Sequence, residues 1–538
     1  MRSSAMMEEP EFFNFTVDVF DKWAGEQPGA RALWWINEDQ SEERCFTFAE
    51  MRDLSLRAAL CFQESGIRAG DPVMILLPRV PEWWIAMLGL TRLGAVPVPC
   101  TPQLTPHDLT YRLETGRIRG VITDAQGAAK LTDFAGIRWQ IDEPLSGWRN
   151  FADALVLTSI DFSAVPTRAA DPGVIYFTSA TTGSPKMVLH TQASYGLGHE
   201  VTGRLWLDLS PGDIQWNTAD LGWAKAAWSS FYGPWHCGAC LFVMDGRGKF
   251  SASHTLDVLE KYPITSLCAP PTALRMMIGV DFSNRSFPHL RHCVTAGEPL
   301  NPSIFHAWLA ATGLPVHEGY GQSETVVLIG HFKSLGNPVI PGSMGRATPG
   351  YDIRLIDDDL IPVADGEEGE IAIHIDENRP IGIFKEYWKN PGETSIHFRD
   401  GWYLTGDRAT RDSDGNFWFI GRKDDVIKSS GYRIGPFEVE SALSAHPAVL
   451  DVAVIGKPDE VRGQIVKAFV VLRPNHAATD ETAHALQDHC KHLVAPYKYP
   501  REIEFVTELP KTISGKTRRF ELRQQQTNTA AGGNLRVR

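Results

Sequence analysis

No uninterrupted run of about 18 apolar residues occurs in this chain, so no membrane-spanning helix is expected. Cysteine is sparse, eight in 538 residues, and scattered singly except for Cys237 and Cys240. Without a second pair at matching spacing, neither a disulfide framework nor a four-ligand zinc site can be assembled, and a reducing, cytoplasmic setting is expected. The lone C-x-x-C follows His236 inside the apolar stretch from Trp235 to Met244, which reads as core. Positive charge is not in excess either. The formal net charge of −13 excludes a nucleic-acid surface over the whole molecule but leaves room for a local cationic patch that holds phosphates. The opening MRSSAMMEEPEFF places acids where a signal peptide wants an apolar run and a transit peptide avoids them. No internal repeat at solenoid periods is found.

What is present describes a multidomain globular chain. Its length predicts roughly two to four domains, and its 43% apolar and 22% charged residues lie near globular averages. Over the first 420 or so residues, short β-rich runs alternate with amphipathic segments, as in Asp71 to Leu77 followed by Pro81 to Gly94. This is the rhythm of α/β layers, and it predicts a large multi-subdomain body over residues 1–423. After Gly421 the charged Arg422 to Asp425 interrupt the apolar strand Phe417 to Ile420, and a small α+β domain is expected over residues 424–523. Its pattern is a helix from Phe437 to His446, strands from Val449 to Ile455 and Ile465 to Leu472, and a helix from Glu481 to Leu493. Residues 524–538, rich in Gln, Thr, Ala and Gly, read as a flexible tail.

The most informative stretch runs from Val174 to Lys186. A β-rich run opens into Thr178, Ser179, Ala180, Thr181, Thr182, Gly183 and Ser184 and ends in Pro185 and Lys186. Small residues allow close backbone approach, the hydroxyls donate, and Lys186 adds charge, which together suit a polyphosphate. It is not a Walker A loop, because no Gly-Lys-Ser/Thr precedes a helix. The run TSATTGSPK resembles the signature of the adenylate-forming, AMP-binding superfamily of acyl-CoA synthetases, luciferases and peptide-synthetase adenylation domains. That family usually has Gly where this chain has Ala180.

Further motifs follow in family order. Thr295-Ala-Gly297-Glu298-Pro299-Leu300 and Gly319-Tyr320-Gly321-Gln322-Ser323-Glu324 match the segments that, in the family, enclose adenine and the α-phosphate. Tyr320 offers a flat face to a purine, Ser323 a hydroxyl donor, and Glu324 a hard oxygen for Mg²⁺. The resemblance implies that Asp407 and Arg422 contact the ribose and phosphate and that Asp424 is the hinge of a rotating small domain. It also makes Lys516 the catalytic lysine of adenylation, alongside Glu324 and Lys186. The run Pro510 to Lys516 resembles a recognition site for protein lysine acetyltransferases, and acetylation there would remove that charge.

The C-terminal third most resembles medium-chain acyl-CoA synthetases. That resemblance implies CoA contacts at Ser430, Gly431, Tyr432, Arg462, Lys491, Tyr499, Pro500 and Arg501, a further one at Gln103, and an ATP contact at Arg433. The acyl pocket is expected between Trp223, Lys225, Gly297 and Gly321. Acetyl-CoA synthetases carry Trp at the place of Gly321, so a tunnel extending past this glycine is expected, open to medium-chain, branched or aromatic acids. The implied reaction joins an acid to CoA through an acyl-adenylate, using Mg²⁺ and ATP and releasing AMP and pyrophosphate. A second copy of the chain is an admissible partner. Two alternatives remain: an adenylating enzyme that loads a carrier protein, and a non-catalytic acyl or nucleotide sensor, which would be expected to have lost Lys516 or Glu324.

Overall fold

The computed structural model describes residues 9–156, 162, 166–178, 185–248, 250–375, 379–430, 432–512 and 516–531. Loop residues Ser179, Ala180, Thr181, Thr182, Gly183 and Ser184, together with Gly431, lie outside them.

Two sheets of the large body aim their strand ends at one place. The first is all parallel, with strands in the spatial order Val96–Pro99, Pro72–Leu76, Gly120–Thr123, Ile137–Gln140, Arg149–Asn150. The helix Pro81–Leu93 between its first two strands is apolar nearly all round because it is buried nearly all round, Trp83 and Trp84 included. The second sheet has nine strands among the described residues. At its centre Ile214–Asn217, Ser266–Cys268, His292–Ala296 and Val316–Tyr320 run parallel. Their carboxyl ends release residues 218–225, Pro270, Gly297 to Glu298, and Gly321 to Ser323 at a common rim, where open α/β sheets place ligands.

The strand Pro172–Phe177, predicted to lead into the phosphate loop, is buried along its middle and pairs antiparallel with Met187–Thr191. A further antiparallel sheet pairs Trp402–Arg411 with Phe417–Arg422 and sets Asp407 opposite Arg422. The expected small domain follows. Ile427–Ser429, Tyr432–Ile434, Val449–Asp459, Gly463–Leu472 and Glu502–Phe505 form one sheet, and the helices Pro436–Ser444 and Asp480–Leu493 pack on it through Val439, Leu443, Leu486 and Cys490.

The expected flexible tail is corrected in part, because residues 519–531 form a helix, Arg519–Ala531. Ala and Gln are good helix formers, but the decisive contacts are tertiary. Leu522 is buried against Ala453, Ile455, Phe469 and Leu509. Arg519 holds Glu440 through three hydrogen bonds of 2.7, 2.8 and 3.3 Å, and Arg523 pairs with Asp425. These anchors lie within the expected small domain, just before residue 524, and the helix they hold continues into the expected tail as far as Ala531.

Candidate active site

The rim encloses a chamber of about 520 Å³. From the large body it is lined by Thr178 and Pro185 of the hairpin, by Trp223, Lys225 and Trp228, and by Gly297, Glu298, Gly321, Gln322 and Ser323. From the small domain come Lys511, Thr512, Lys516 and Arg518. Residues more than 300 positions apart in the chain therefore share one cavity.

Thr178 and Lys186 close the base of the phosphate loop. The Thr178 N–H donates to the Lys186 carbonyl at 2.9 Å, and the Lys186 N–H donates to Thr178 Oγ1 at 3.2 Å. The Lys186 ammonium turns aside to pair with Glu393 and sits 5.1 Å from the centre of the Tyr387 ring. Tyr387 in turn donates its hydroxyl to Glu324 Oε1 at 2.7 Å. Lys186 and the buried Glu324 are thus linked through one tyrosine, and a Lys186 hydrogen bond and charge hold the Glu393 carboxyl below its ordinary range. Among the described residues no group of three or more His, Cys, Asp or Glu forms a metal cage. A single buried carboxylate is nonetheless the donor expected where Mg²⁺ arrives with phosphate oxygens and water, so Glu324 fits that ion.

Asp407 Oδ2 accepts from the Tyr320 hydroxyl at 2.8 Å and from Gln322 Nε2 at 2.7 Å, with Arg422 Nε 3.9 Å from Oδ1. Tyr403 donates to Gln322 Oε1 at 2.9 Å, fixing the amide's orientation. Ser323 is placed by its backbone, since its carbonyl accepts from His190 Nε2 and from the Tyr195 hydroxyl, each at 2.8 Å. Burial drives the His190 pKa down to about 3. The ring is therefore neutral, donating from Nε2 and accepting the Ser194 hydroxyl at Nδ1.

Lys516 reaches the chamber from a closed hairpin. Thr512 N–H donates to the Lys516 carbonyl at 2.7 Å, and Lys516 N–H donates back to Thr512 Oγ1 at 3.1 Å. The residue is open to the cavity's water yet surrounded by protein. This desolvation, followed by the positive charge of Arg422, lowers its pKa, while Glu298 and Asp407 act in the opposite sense. Asp451 keeps the hairpin against the large body by accepting from both Lys511 and Arg275.

The acyl wall differs from expectation at one point. Trp223, Lys225 and Gly297 line the chamber, and Gly297 takes φ +97°, a turn that glycine adopts without strain. Gly321 lines it too, but the space in front of it is taken by Trp228. A Cβ built there would lie 2.4 Å from Trp228 Cη2 and 2.4 Å from the Val326 carbonyl oxygen. Gly319, on the same face of the strand, is covered in the same way by Trp206 at 2.5 Å. The two indoles meet edge to face, 6.1 Å between centroids, and both are buried. Space vacated on one wall is filled from the other.

The chain matches the AMP-binding enzyme family over residues 20–388 and the AMP-binding enzyme C-terminal domain over residues 438–516. The chain belongs to the AMP-binding enzyme family. It is 44% identical to the Homo sapiens protein named Acyl-coenzyme A synthetase ACSM3, mitochondrial, over 98% of this chain and 92% of that one. Among solved structures it resembles a Brucella canis acyl-CoA synthetase, with a TM-score of 0.74 and 36% identity, covering 96% of this chain and 95% of that one. It also resembles the anthranilate CoA ligase AuaEII in complex with anthranoyl-AMP, with a TM-score of 0.89 and 29% identity over 98% of this chain and 100% of that one.

Within this AMP-binding enzyme the candidate CoA residues form two exposed clusters on the small domain. Arg462 donates to Ser430 Oγ at 3.2 Å, and Tyr432 stacks on Tyr497 at 4.2 Å. Lys491 and Arg501 flank the Tyr499 ring at 4.5 and 4.8 Å, beside the buried Pro500. Gln103 lies apart on the large body, its N–H on Thr101 Oγ1 at 3.3 Å. Arg433 is not brought into the chamber and pairs instead with Asp358 and Glu368 of the large body. Pro299 follows Glu298 in the same turn without lining the cavity. Asp424 sits exposed between Arg422 and Asp425, the latter held by Arg523. Trp228, Tyr387, Glu393, His190 and Tyr195 were not singled out from sequence. Nothing in the spacing of Trp228 separated it from the core tryptophans.

Proposed function

We propose that this chain is an ATP-dependent acyl-CoA synthetase that activates a carboxylic acid as its acyl-adenylate and passes the acyl group to CoA. The supporting observation is the entry of Lys516 from the small domain into the chamber that also holds Glu298, Gln322 and Ser323.

In the first half-reaction a carboxylate oxygen attacks the α-phosphorus of ATP, the bond to the β-phosphate bridging oxygen breaks, and pyrophosphate leaves with that electron pair. Residues 178–186 bind the departing phosphates, Ser323 donates to the α-phosphate, and Tyr320 and Asp407 receive the adenosine. Asp407 exchanges its Tyr320 and Gln322 donors, or adds to them, when ribose hydroxyls arrive. Lys516 places its ammonium where negative charge accumulates between carboxylate and phosphate, so its contribution is electrostatic. Glu324 would hold Mg²⁺, which supplies charge neutralisation on the phosphates. No covalent enzyme nucleophile is required, because the mixed anhydride is already activated.

In the second half-reaction the small domain turns about Asp424, Lys516 withdraws, and the CoA sulfur attacks the acyl carbonyl carbon as its proton is lost. The carbon–oxygen bond to AMP breaks. The exposed cations and aromatic faces of Arg462, Lys491, Arg501, Tyr432 and Tyr499 then receive the CoA nucleotide. Acetylation of Lys516 by a lysine acetyltransferase would block the first step and spare the second.

All eight cysteines are free, and only Cys45 is exposed, which suits any reducing compartment; we propose the cytoplasm, while the ACSM3 relative's name carries a mitochondrial location. No described helix is long and apolar enough to cross a membrane. The deciding experiment incubates the full chain with ATP, Mg²⁺, CoA and a panel of acids and scores AMP and thioester. Stoichiometric thioester supports the reading; adenylate without thioester favours the carrier-loading alternative, and no turnover favours a sensor.

A further inference from the structure

Lys225 is a cation in the wall of the chamber that Trp223, Trp228 and Pro270 also line, with Glu298 and Lys516 in the same cavity. It stands on the short helix Ala224–Ala227, half-buried as a residue, and its ammonium donates to the Ala296 carbonyl at 2.9 Å. An ammonium has three protons to give. Among the described residues no second hydrogen-bond acceptor and no ion-pair partner takes the others, and Glu298, the carboxylate that acts on it within the chamber, forms no ion pair with it. A cation with one of its three protons bonded to protein takes further acceptors from whatever occupies the chamber. A plain alkyl or phenyl group offers none. The position of Trp228 over Gly321 adds a size limit, since the completing group must lie within the space that indole leaves.

We propose that Lys225 forms a polar subsite of the acyl chamber, and that the preferred substrate is a compact carboxylic acid carrying a second hydrogen-bond-accepting oxygen, in a carboxylate, carbonyl or hydroxyl group. This rests on the synthetase reading above and narrows its acid class away from unsubstituted medium chains. A site built to bond a polar substituent rejects the analogue that lacks it far more strongly than an apolar pocket rejects a methylene.

The test uses the full chain with ATP, Mg²⁺ and CoA and three matched pairs: butyrate and succinate, pentanoate and 4-oxopentanoate, benzoate and 2-hydroxybenzoate. The wild-type kcat/KM is expected to favour the acceptor-bearing member of at least one pair by about tenfold or more. In Lys225→Met that ratio should fall to one or below, and in Lys225→Arg, which keeps the charge, it should keep its sign. Wild-type ratios at or below one in all three pairs overturn the proposal, as does a Lys225→Met variant that lowers both members equally. The wild-type ratios decide the matter even where the methionine variant does not fold. Turnover of plain acids alone removes only the subsite, as does thioester from hexanoate or octanoate with none from the six; thioester from no acid of the wider panel removes the synthetase reading and the subsite with it.

Discussion

The Trp228 indole occupies the space in front of Gly321, 2.4 Å from where a Cβ would stand. A glycine at this position does not by itself lengthen an acyl tunnel, because depth depends on what the facing helix contributes. Removing the indole should lengthen the chamber. Trp228→Ala is expected to raise kcat/KM roughly tenfold for an acid two or three carbons longer than the best wild-type substrate, since each methylene newly buried is worth about 0.8 kcal/mol. The same change empties a buried site and should cost about 3–5 kcal/mol of stability, so Trp228→Leu serves as a milder companion. An unchanged chain-length profile in both variants would show that the chamber's depth is set elsewhere.

Gly321 answers to backbone as well as to indole. Gly321→Ala places its Cβ 2.4 Å from the Val326 carbonyl oxygen, and a methyl forced into packed surroundings costs about 1–3 kcal/mol. Because Val326 stays in place, the double variant Gly321→Ala/Trp228→Ala should recover little of this loss. Denaturant melts of the four proteins give the coupling directly; full recovery would mean that Trp228 alone creates the conflict.

Lys516 yields a kinetic and a pH prediction. Lys516→Ala should depress pyrophosphate release by about 100-fold or more, as losing one preorganised charge donor does in other enzymes, while thioester formation from supplied acyl-adenylate changes far less. Desolvation and then Arg422 lower the lysine's pKa from 10.5, and only the cation stabilises the transition state. Adenylation should therefore fall as pH rises through a value below the ordinary lysine range. Removing a nearby positive charge raises that pKa, so in Arg422→Gln the alkaline limb should move to higher pH. A limb that stays fixed would mean that another group titrates.

Much of this was legible in the sequence because it is local. A strand followed at once by small and hydroxylated residues reads as a phosphate loop, and Gly319 to Glu324 and Tyr403 to Asp407 are contiguous motifs whose residues do meet, through Tyr320, Gln322 and Asp407. What escaped is long-range. Trp228 is one of sixteen tryptophans, and only the fold shows that it faces a glycine 93 positions on. His190 and Tyr195 act by holding one carbonyl more than a hundred residues away, for which no sequence pattern exists. The helix over residues 524–531 was missed for the same reason, since Gln- and Thr-rich composition reports solubility, while the arginines that anchor it, Arg519 and Arg523, precede that stretch and bind acids distant in the sequence.

That helix supports the last prediction. Arg519 gives three hydrogen bonds to the buried Glu440, whose Oε1 also accepts the Val454 N–H at 2.8 Å. Arg519→Ala strands the carboxylate, and breaking a buried pair from one side costs about 3–5 kcal/mol. Burial already raises the Glu440 pKa, with Arg519 opposing, so the variant should raise it further. A carboxyl whose folded pKa lies above its unfolded one favours the folded state most at low pH and loses that contribution as pH rises through the folded pKa. The destabilisation should thus be larger at pH 8 than at pH 5. Arg519→Ala/Glu440→Gln, which removes the charge and keeps an oxygen for Val454, should recover part of the loss and flatten the pH dependence. Thermal melts at the two pH values, with limited proteolysis of residues 518–531, would contradict this coupling if the single and double variants melt together and cleave alike.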